Sequence, residues 1–240
     1  MSIDSFTVKR LANDVKSLLN NSLESDNIYY KHDEENILKG YALFIGNSDT
    51  PYSYGAYLFR FEYPKNYPFS PPKVIYLTND GYMRFNPNLY TNGKVCLSVL
   101  NTWKGDGWSS CQSIRSILVI LSTILNNNPL LNEPGVNEKN PNIEKYNLAI
   151  SYKNIEFAIL EQLNFIINSN SEKKCNYLET LELFKSILIN NFKINKKNID
   201  INISTLEEDL IYISIYCLNI EVNIKKLKIK YENILDILEM

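Results

Sequence analysis

Residues 84–98 read RFNPNLYTNGKVCLS, and no other segment is as informative about this chain. The segment places the thiol of Cys96 behind the turn Asn92-Gly93 and downstream of the amide side chain of Asn88. A cysteine thiolate attacks acyl groups, and an amide dipole stabilises the oxyanion that forms after the attack. The segment therefore indicates acyl chemistry at Cys96, with Asn88 close to it.

Upstream of this segment, hydrophobic periodicity predicts one helix and four strands. Apolar residues recur every three to four positions along the helix and alternate along the clearest strand. The predicted helix covers residues 5–20, and the predicted strands cover 28–32, 39–46, 56–63 and 74–77. Because short turns join successive strands, the sequence predicts an antiparallel meander.

Two irregular segments complete the first part of the chain. Residues 67–72 read YPFSPP, which is incompatible with a helix and predicts a rigid corner. Residues 78–109 are rich in Asn, Gly and Pro and predict a long loop over the domain. Loops of this length in compact domains are usually functional. Helical patterns follow at 110–125 and 143–168.

The chain changes in character after this last helix. The polar run at 168–171 predicts a boundary between a domain of residues 1–168 and an extension of residues 169–240. Two interpretations of the extension stay open. It either packs its apolar faces against the first domain or docks a particular activating enzyme, ligase or substrate.

Three helices are predicted in the extension. Apolar spacing marks the first at 178–188 and the third at 224–238. The sequence Thr205-Leu206-Glu207-Glu208 has the pattern of a capping box and predicts the start of the second helix.

The composition excludes several classes of function. The 240 residues carry a formal net charge of −2 with a pI near 5.6, which argues against a nucleic-acid or anionic-membrane surface. No apolar run approaches the ~20 residues that a membrane span needs, and no signal peptide is visible. We therefore predict a protein of the reducing cytoplasm, its own or a host's, with access to the nucleus left open. Four free thiols are expected there.

The cysteines and the single histidine limit the chemistry further. The sequence has no Cys-x-x-Cys and no Cys/His cluster, so we predict no metal site. A cysteine hydrolase needs a base beside its thiol, and the only histidine, His32, lies in a polar turn near the N-terminus. Cys111, Cys175 and Cys217 fall in helical patterns and are predicted to be buried.

The motifs follow an order that resembles ubiquitin-conjugating (E2) domains over roughly residues 5–168. The matching pieces are Pro51-Tyr52 with Gly55, Tyr67-Pro68-Phe69 with Pro71-Pro72, Asn86-Pro87-Asn88, Cys96 and Trp108-Ser109. The usual His-Pro-Asn motif begins here with asparagine, and extra residues lie between Cys96 and Trp108. Both departures, and the later Asn-Glu-Pro-Gly at 132–135, resemble the branch of ubiquitin-conjugating enzyme E2 Z and its relatives.

The resemblance implies an α+β fold with an N-terminal helix, a four-stranded antiparallel meander, a long active-site loop and C-terminal helices. It also implies that Cys96 accepts ubiquitin from an activating enzyme (E1) as a thioester. The ubiquitin then passes to a substrate lysine or to the cysteine of a ligase. No cofactor is implied, because ATP is used by the activating enzyme. Two alternatives stay open: an E2-like module that binds ubiquitin or a ligase without turnover, and an E2 for a ubiquitin-like modifier.

The resemblance also assigns roles around the thiol. Asn88 either stabilises the oxyanion or holds its own loop in place. Asn86 is expected to bond locally. From its place among glycines beside the cysteine, Trp103 is expected to form a wall of the active site, with burial in the core as the alternative. The residues expected to shape the active-site loop are Phe85, Asn86, Pro87, Trp103, Trp108, Leu131 and Asn132, of which Leu131 and Asn132 fall near the family's gate residue. A cis peptide is expected between Tyr67 and Pro68.

Two surfaces are expected to bind partners. Lys9 and Arg10 match a basic patch that engages the activating enzyme in relatives, although the spacing equally indicates a solvated helix face. An exposed Phe69, together with Ser110 and Cys111, corresponds to the surface that docks ligases. Whether the ligase is of RING or HECT type stays open.

Overall fold

The structure is a computed structural model that describes residues 4–168 and 175–239. The first part contains α1 (Ser5–Asn20), β1 (Ile28–His32), β2 (Lys39–Ile45), β3 (Ala56–Glu62), β4 (Lys73–Tyr76) and α2 (Ile114–Ile124). A long helix follows, in which α3 (Ile143–Lys153) continues through a π-helical stretch (Asn154–Glu161) into α4 (Gln162–Ile167). The last part contains α5 (Leu178–Leu183), α6 (Lys185–Thr205), β5 (Leu210–Ile213), β6 (Leu218–Glu221) and α7 (Ile224–Glu239).

The four strands form one antiparallel sheet in the order β1-β2-β3-β4, which confirms the predicted meander and the α+β class. Alternate side chains of the strands enter the core, because successive side chains of a strand point to opposite faces. Phe44 and Phe59 meet edge to face there, with ring centroids 5.2 Å apart. The fully buried side chains of α2 are Ile114, Ile117, Leu118 and Leu121.

The proline corner is fixed to α1. The Thr7 hydroxyl lies within hydrogen-bond distance of the carbonyls of Lys65 (2.9 Å) and Tyr67 (2.8 Å). The Tyr67 hydroxyl donates to Asp14 at 2.5 Å. The Tyr67-Pro68 peptide is cis, as predicted. These contacts set the position of the corner relative to the first helix.

Two of the three cysteines predicted to be buried are exposed. The helix predicted from residue 110 begins only at Ile114, because Ser113 caps it by accepting a hydrogen bond from the amide of Ser116. Cys111 therefore lies in an exposed turn before the helix. Cys217 lies in the turn between β5 and β6, with φ 49°, and is also exposed. Cys175 is partly buried.

The extension has α5 and α7 where the first and third helices were predicted, and it also has the helix α6 and a β-hairpin that the sequence did not indicate. The predicted helix start at Thr205-Leu206-Glu207-Glu208 is wrong, because α6 ends at Thr205 and Leu206 is extended. The segment leads into β5, which pairs with β6. Of the predicted boundary at 168–171, residues 169–171 lie outside the described residues, and the domain division stays a prediction.

Helices α5 and α6 cover part of the outer face of the sheet. Tyr29, Lys31 and Leu43 belong to this face, since they alternate with core side chains along β1 and β2. The Lys31 ammonium donates to the carbonyl of Leu183 at 2.6 Å and lies 5.6 Å from the ring centroid of Phe184. The Phe184 and Leu43 side chains are fully buried. The first domain and the extension therefore share apolar packing.

This packing predicts a large stability effect at Phe184. Phe184→Ala should lower the free energy of unfolding by about 3 kcal/mol, because it leaves a cavity where a buried aromatic ring was. Urea denaturation would measure the change. Leu183→Ala is the matched control, since this neighbouring side chain is 40% exposed and should cost much less. Equal effects of the two changes would contradict the packing described here.

Candidate functional site

Cys96 lies beside Asn88 on a loop that folds back on itself. Residues Leu89 and Val95 form an isolated antiparallel bridge, and the Cys96 amide donates to the carbonyl of Asn88 at 2.9 Å. Gly93 turns the loop with φ 86°, in the left-handed region that favours glycine. The predicted pair is thus brought together by a short hairpin-like turn.

The Asn88 side chain is directed at the backbone of Cys96. Its Nδ2 donates to the Cys96 carbonyl at 2.6 Å, and its backbone amide donates to Oδ1 of Asn86 at 2.9 Å. Its own Oδ1 is buried and has no hydrogen-bond partner among the described residues. In this arrangement Asn88 joins the two sides of the loop. Its side-chain amide contacts the backbone carbonyl of Cys96, the residue that carries the thiol.

Thr102 contacts the thiol and its flanking backbone, and sequence reasoning missed it. Its hydroxyl accepts from the Leu97 amide at 2.9 Å and lies 2.8 Å from the carbonyl of Val95. The Cys96 Sγ donates to the Thr102 carbonyl at 3.1 Å. The Cys96 residue is only 3% exposed. No motif in the sequence marks Thr102, because its contacts are with the backbone of residues 95–97.

The environment of the thiol favours its protonated form. Burial raises the pKa of the Cys96 thiol, while the positive charges of Lys94 and Arg84 act in the opposite direction. The Thr102 carbonyl accepts a hydrogen bond from the S–H group. A thiolate has no proton to donate, so ionisation would lose this hydrogen bond. The resting site therefore holds a neutral thiol near two cations.

This electrostatic balance predicts how Cys96 reacts with iodoacetamide as the pH changes. Only the thiolate reacts, so the rate should rise about tenfold per pH unit through neutrality and should not level off below pH 9. Lys94→Gln removes one opposing cation, raises the thiol pKa further, and should slow the reaction at pH 7.5 by about threefold. Peptide mass spectrometry would follow Cys96 alone. Lys104→Gln, at an exposed lysine of the neighbouring loop, is the control; an equal effect there would contradict a specific role of Lys94.

Asn86 is buried and connects the loop to the core. Its Oδ1 accepts from the Asn88 amide, which is the local bond expected for it. Its Nδ2 donates to the carbonyl of Ile124 at 2.7 Å and to the Tyr52 hydroxyl at 3.1 Å. Asn132 reaches the same Asn86 Oδ1 at 3.4 Å from the turn after α2. Asn86 thus positions the loop from behind.

The remaining predicted loop residues divide into packed and exposed groups. Phe85 and Pro87 are buried, and the Phe85 carbonyl accepts from the Tyr52 hydroxyl at 2.7 Å. Leu131 is partly buried in the turn Pro129–Asn132. Trp103 is 51% exposed.

Trp108 connects the extra residues to the proline corner. Its indole Nε1 donates to the carbonyl of Pro68 at 2.6 Å, and its backbone amide donates to Oδ1 of Asn101 at 2.9 Å. Its ring centroid lies 5.8 Å from that of Tyr67. Trp108 therefore supports the loop that carries Thr102.

The two predicted partner surfaces differ in how free their side chains are. Lys9 is exposed on α1, but Arg10 is not a free cation. Its Nε pairs with Asp14 at 2.9 Å, its Nη1 donates to the Ser110 carbonyl at 2.8 Å, and its Nη2 donates to the Gln112 carbonyl. Arg10 thus joins α1 to the turn before α2.

Around the proline corner, Phe69 is 68% exposed. Its ring stacks on that of Phe6, with centroids 5.7 Å apart and an interplanar angle of 19°. Ser110 and Cys111 are exposed in the turn before α2. Helix α1, the corner and this turn therefore present two aromatic rings and two small polar groups to solvent.

His32, the single histidine, lies in β1 and is held by two hydrogen bonds. Both ring nitrogens of His32 are hydrogen-bonded, to the Tyr30 hydroxyl at 2.8 Å and the Ile37 carbonyl at 2.9 Å. Within residues 4–168 and 175–239, no group of three or more His, Cys, Asp or Glu could hold a metal ion. No helix in these ranges is long and apolar enough to cross a membrane.

Comparison with known proteins identifies the family. The sequence model described as "Ubiquitin-conjugating enzyme" matches residues 10–154. Ubiquitin-conjugating enzyme E2 Z of Xenopus tropicalis is 35% identical over 175 residues, which cover 69% of this chain and 55% of that protein. The human E2 Z is 43% identical over 134 residues, covering 55% of this chain and 38% of that protein. Probable ubiquitin-conjugating enzyme protein 17 of Caenorhabditis elegans is 39% identical over 170 residues, covering 65% of this chain and 23% of that protein.

The chain therefore spans about half, or less, of the length of these relatives. The family match nevertheless covers most of the first part of the chain, including the greater part of α1, the sheet, the Cys96 loop and α2. By its motifs, its fold and these similarities, this chain belongs to the ubiquitin-conjugating enzyme family.

Proposed function

We propose that this chain is an active E2 enzyme that carries ubiquitin as a thioester on Cys96. The observation that carries the proposal is the position of the Cys96 thiol. It lies on a loop held by Asn88 on one side and by Thr102 on the other, within an intact family motif. The similarity to enzymes named E2 Z supports the same activity.

In the first step, the Cys96 thiolate attacks the carbonyl carbon of the thioester on the activating enzyme. A tetrahedral oxyanion forms and collapses, the new bond to Sγ remains, and the thiolate of the activating enzyme leaves. Because one thioester replaces another, the exchange is nearly balanced and needs no strong base. Ionisation of Cys96 also removes the S–H donor that bonds to Thr102, so the sulfur is no longer held at that carbonyl.

In the second step, a lysine amine attacks the Cys96 thioester, loses a proton and expels the Cys96 thiolate, or a ligase cysteine takes the acyl group. The oxyanion of this step develops next to the backbone of Cys96. The Asn88 amide lies 2.6 Å from the Cys96 carbonyl, close enough to hold that backbone in place. A direct bond to the oxyanion would require this amide to turn from the carbonyl to the reacting atom.

We propose the same set of partners for this chain as the family resemblance implies. These are ubiquitin, an activating enzyme that meets Lys9 on α1, and a RING or HECT ligase that meets Phe69, Ser110 and Cys111. ATP is used by the activating enzyme, and no metal or organic cofactor takes part in either acyl transfer. The proposed location is the cytoplasm.

A charging assay tests the proposal. The purified chain would be incubated with ATP, ubiquitin and each candidate activating enzyme, then run on a non-reducing gel. We expect a band larger by one ubiquitin that disappears on adding reductant and requires ATP. A folded sample that forms no such band with any activating enzyme, with ubiquitin or with ubiquitin-like proteins, would leave a binding module as the better description. A band formed only with a ubiquitin-like protein would reassign the modifier.

A further inference from the structure

The β-hairpin of the extension is hydrogen-bonded to the start of α3 and to the long loop that carries Cys96. The Ser214 amide donates to Oδ1 of Asn142 at 2.9 Å, at the start of α3. On the other strand, the Asn219 carbonyl accepts from the Tyr82 hydroxyl at 2.8 Å, within the long active-site loop. The hairpin thus has fixed contacts on both sides of its turn.

That turn brings Tyr216 to two charged side chains of the first domain. The Tyr216 hydroxyl donates to Oε2 of Glu133 at 2.5 Å. The guanidinium of Arg84 lies 5.7 Å from the Tyr216 ring centroid and only 3.7 Å from that of Tyr90. Cation–π contacts of this kind hold a guanidinium in place. Tyr216 therefore contacts an anion through its hydroxyl and a cation through its ring.

Arg84 is tied to the Cys96 loop in sequence and in space. Its backbone carbonyl accepts from the Tyr146 hydroxyl at 2.8 Å, and the Tyr146 ring lies 5.8 Å from the Tyr216 ring. Its partner Tyr90 lies in the turn that leads to Cys96, where the amide of Tyr90 donates to the Lys94 carbonyl at 3.0 Å. The charge of Arg84 acts on the thiol in the direction that favours the thiolate.

We propose that Tyr216 is a positioning residue of the Cys96 site, through which the C-terminal hairpin holds Arg84 beside the loop that carries the thiol. A fixed cation there stabilises the attacking thiolate and the oxyanion of the acyl transfer. The stabilisation of the thiolate concerns the free protein. The stabilisation of the oxyanion rests on the proposed function. Glu133 accepts a hydrogen bond from the Tyr216 hydroxyl and so fixes the ring at its hydroxyl end.

The test measures the pH profile of Cys96 alkylation by iodoacetamide, followed on the Cys96 peptide by mass spectrometry. Tyr216→Leu removes the ring that contacts Arg84. We expect its profile to move to higher pH, with about a threefold slower reaction at pH 7.5, because fewer thiols are ionised. Tyr216→Phe keeps the ring but loses the hydrogen bond to Glu133, so its profile should move in the same direction by less than that of Tyr216→Leu. Tyr212→Leu is the matched control, since Tyr212 belongs to the same hairpin and is 47% exposed.

A double-variant comparison identifies the route of the effect. If Tyr216 acts through Arg84, Arg84→Gln should move the profile in the same direction, and adding Tyr216→Leu should change it little further. The proposal is overturned if Tyr216→Leu matches Tyr212→Leu, or if the two effects simply add. It is also overturned if Arg84→Gln leaves the profile unchanged, and this result needs only the Arg84 variant to fold.

The experiment also separates the two proposals. Alkylation requires neither ubiquitin nor an activating enzyme, so it decides the role of Tyr216 even if the wild type fails to charge. If the wild type does charge, the discharge of its thioester to free lysine should fall for Tyr216→Leu and Arg84→Gln by a similar factor. An unchanged discharge rate in both variants would remove Tyr216 and Arg84 from the acyl-transfer step.

Discussion

Cys96→Ala is expected to form no ubiquitin thioester with any activating enzyme that charges the wild type. The change removes the only atom that can form the acyl bond at this site. It also removes one hydrogen bond from the S–H group to the Thr102 carbonyl, which should have little effect on the stability of the fold. The measurement is the same non-reducing gel, with urea denaturation as a check that the variant remains folded.

Cys96→Ser gives the complementary result. A hydroxyl can accept the acyl group, so a small amount of product should appear as an oxygen ester that survives reductant but is cleaved by hydroxide. Cys111→Ala is the matched control, because Cys111 is exposed and should charge like the wild type. A reducible band that persists in Cys96→Ala and disappears in Cys111→Ala would make Cys111 the acceptor and contradict this proposal.

Asn88→Ala is expected to slow the discharge of the thioester to lysine by about 100-fold, the cost of losing one preorganised amide donor near an oxyanion. Charging should be affected less, because transthiolation is nearly balanced and does not involve an amine that must lose a proton. A single-turnover chase of preformed thioester into free lysine would measure the discharge rate. Asn92→Ala is the matched control, since Asn92 caps the same turn through the Lys94 amide.

Asn88→Asp distinguishes the two roles left open for this residue. The carboxylate has nearly the same shape but cannot donate to the Cys96 carbonyl or to an oxyanion. If Asn88 acts on the reaction, discharge should fall by far more than charging, which the added negative charge near the thiol should slow by only a few-fold. If Asn88 only holds the loop, both steps should fall together, along with stability. Discharge at the wild-type rate in both Asn88 variants would contradict either role.

Much of the first part of the fold could be predicted because its signals are local. Alternation in the segment that became β3, the YPFSPP corner and the Asn92-Gly93 turn each specify backbone geometry directly. The proximity of Cys96 and Asn88 followed from motif order. By contrast, the Thr102 hydroxyl contacts the backbone of Val95 and Leu97. No pattern of residue types in the sequence predicts such side-chain-to-backbone contacts.

The extension was harder to predict because its signals conflict. The pattern at Thr205–Glu208 has the residues of a capping box, yet α6 ends there instead of a helix beginning. The hairpin turn contains Cys217 at φ 49°, where Gly or Asn would have marked it. The contacts of Arg10 were equally hard to predict. Its hydrogen bonds to the Ser110 and Gln112 carbonyls depend on the packing of α1 beside α2.

The bond between the Cys96 thiol and the Thr102 carbonyl has a consequence for oxidative stress. Peroxide attacks thiolates that solvent can reach, whereas Cys96 is only 3% exposed and its S–H group donates a hydrogen bond to the Thr102 carbonyl. Cys111 and Cys217 are exposed. We expect dilute peroxide to oxidise these two first, leaving the capacity of Cys96 to react intact until they are consumed. The exposed thiols would then consume the oxidant before it reaches the proposed acceptor.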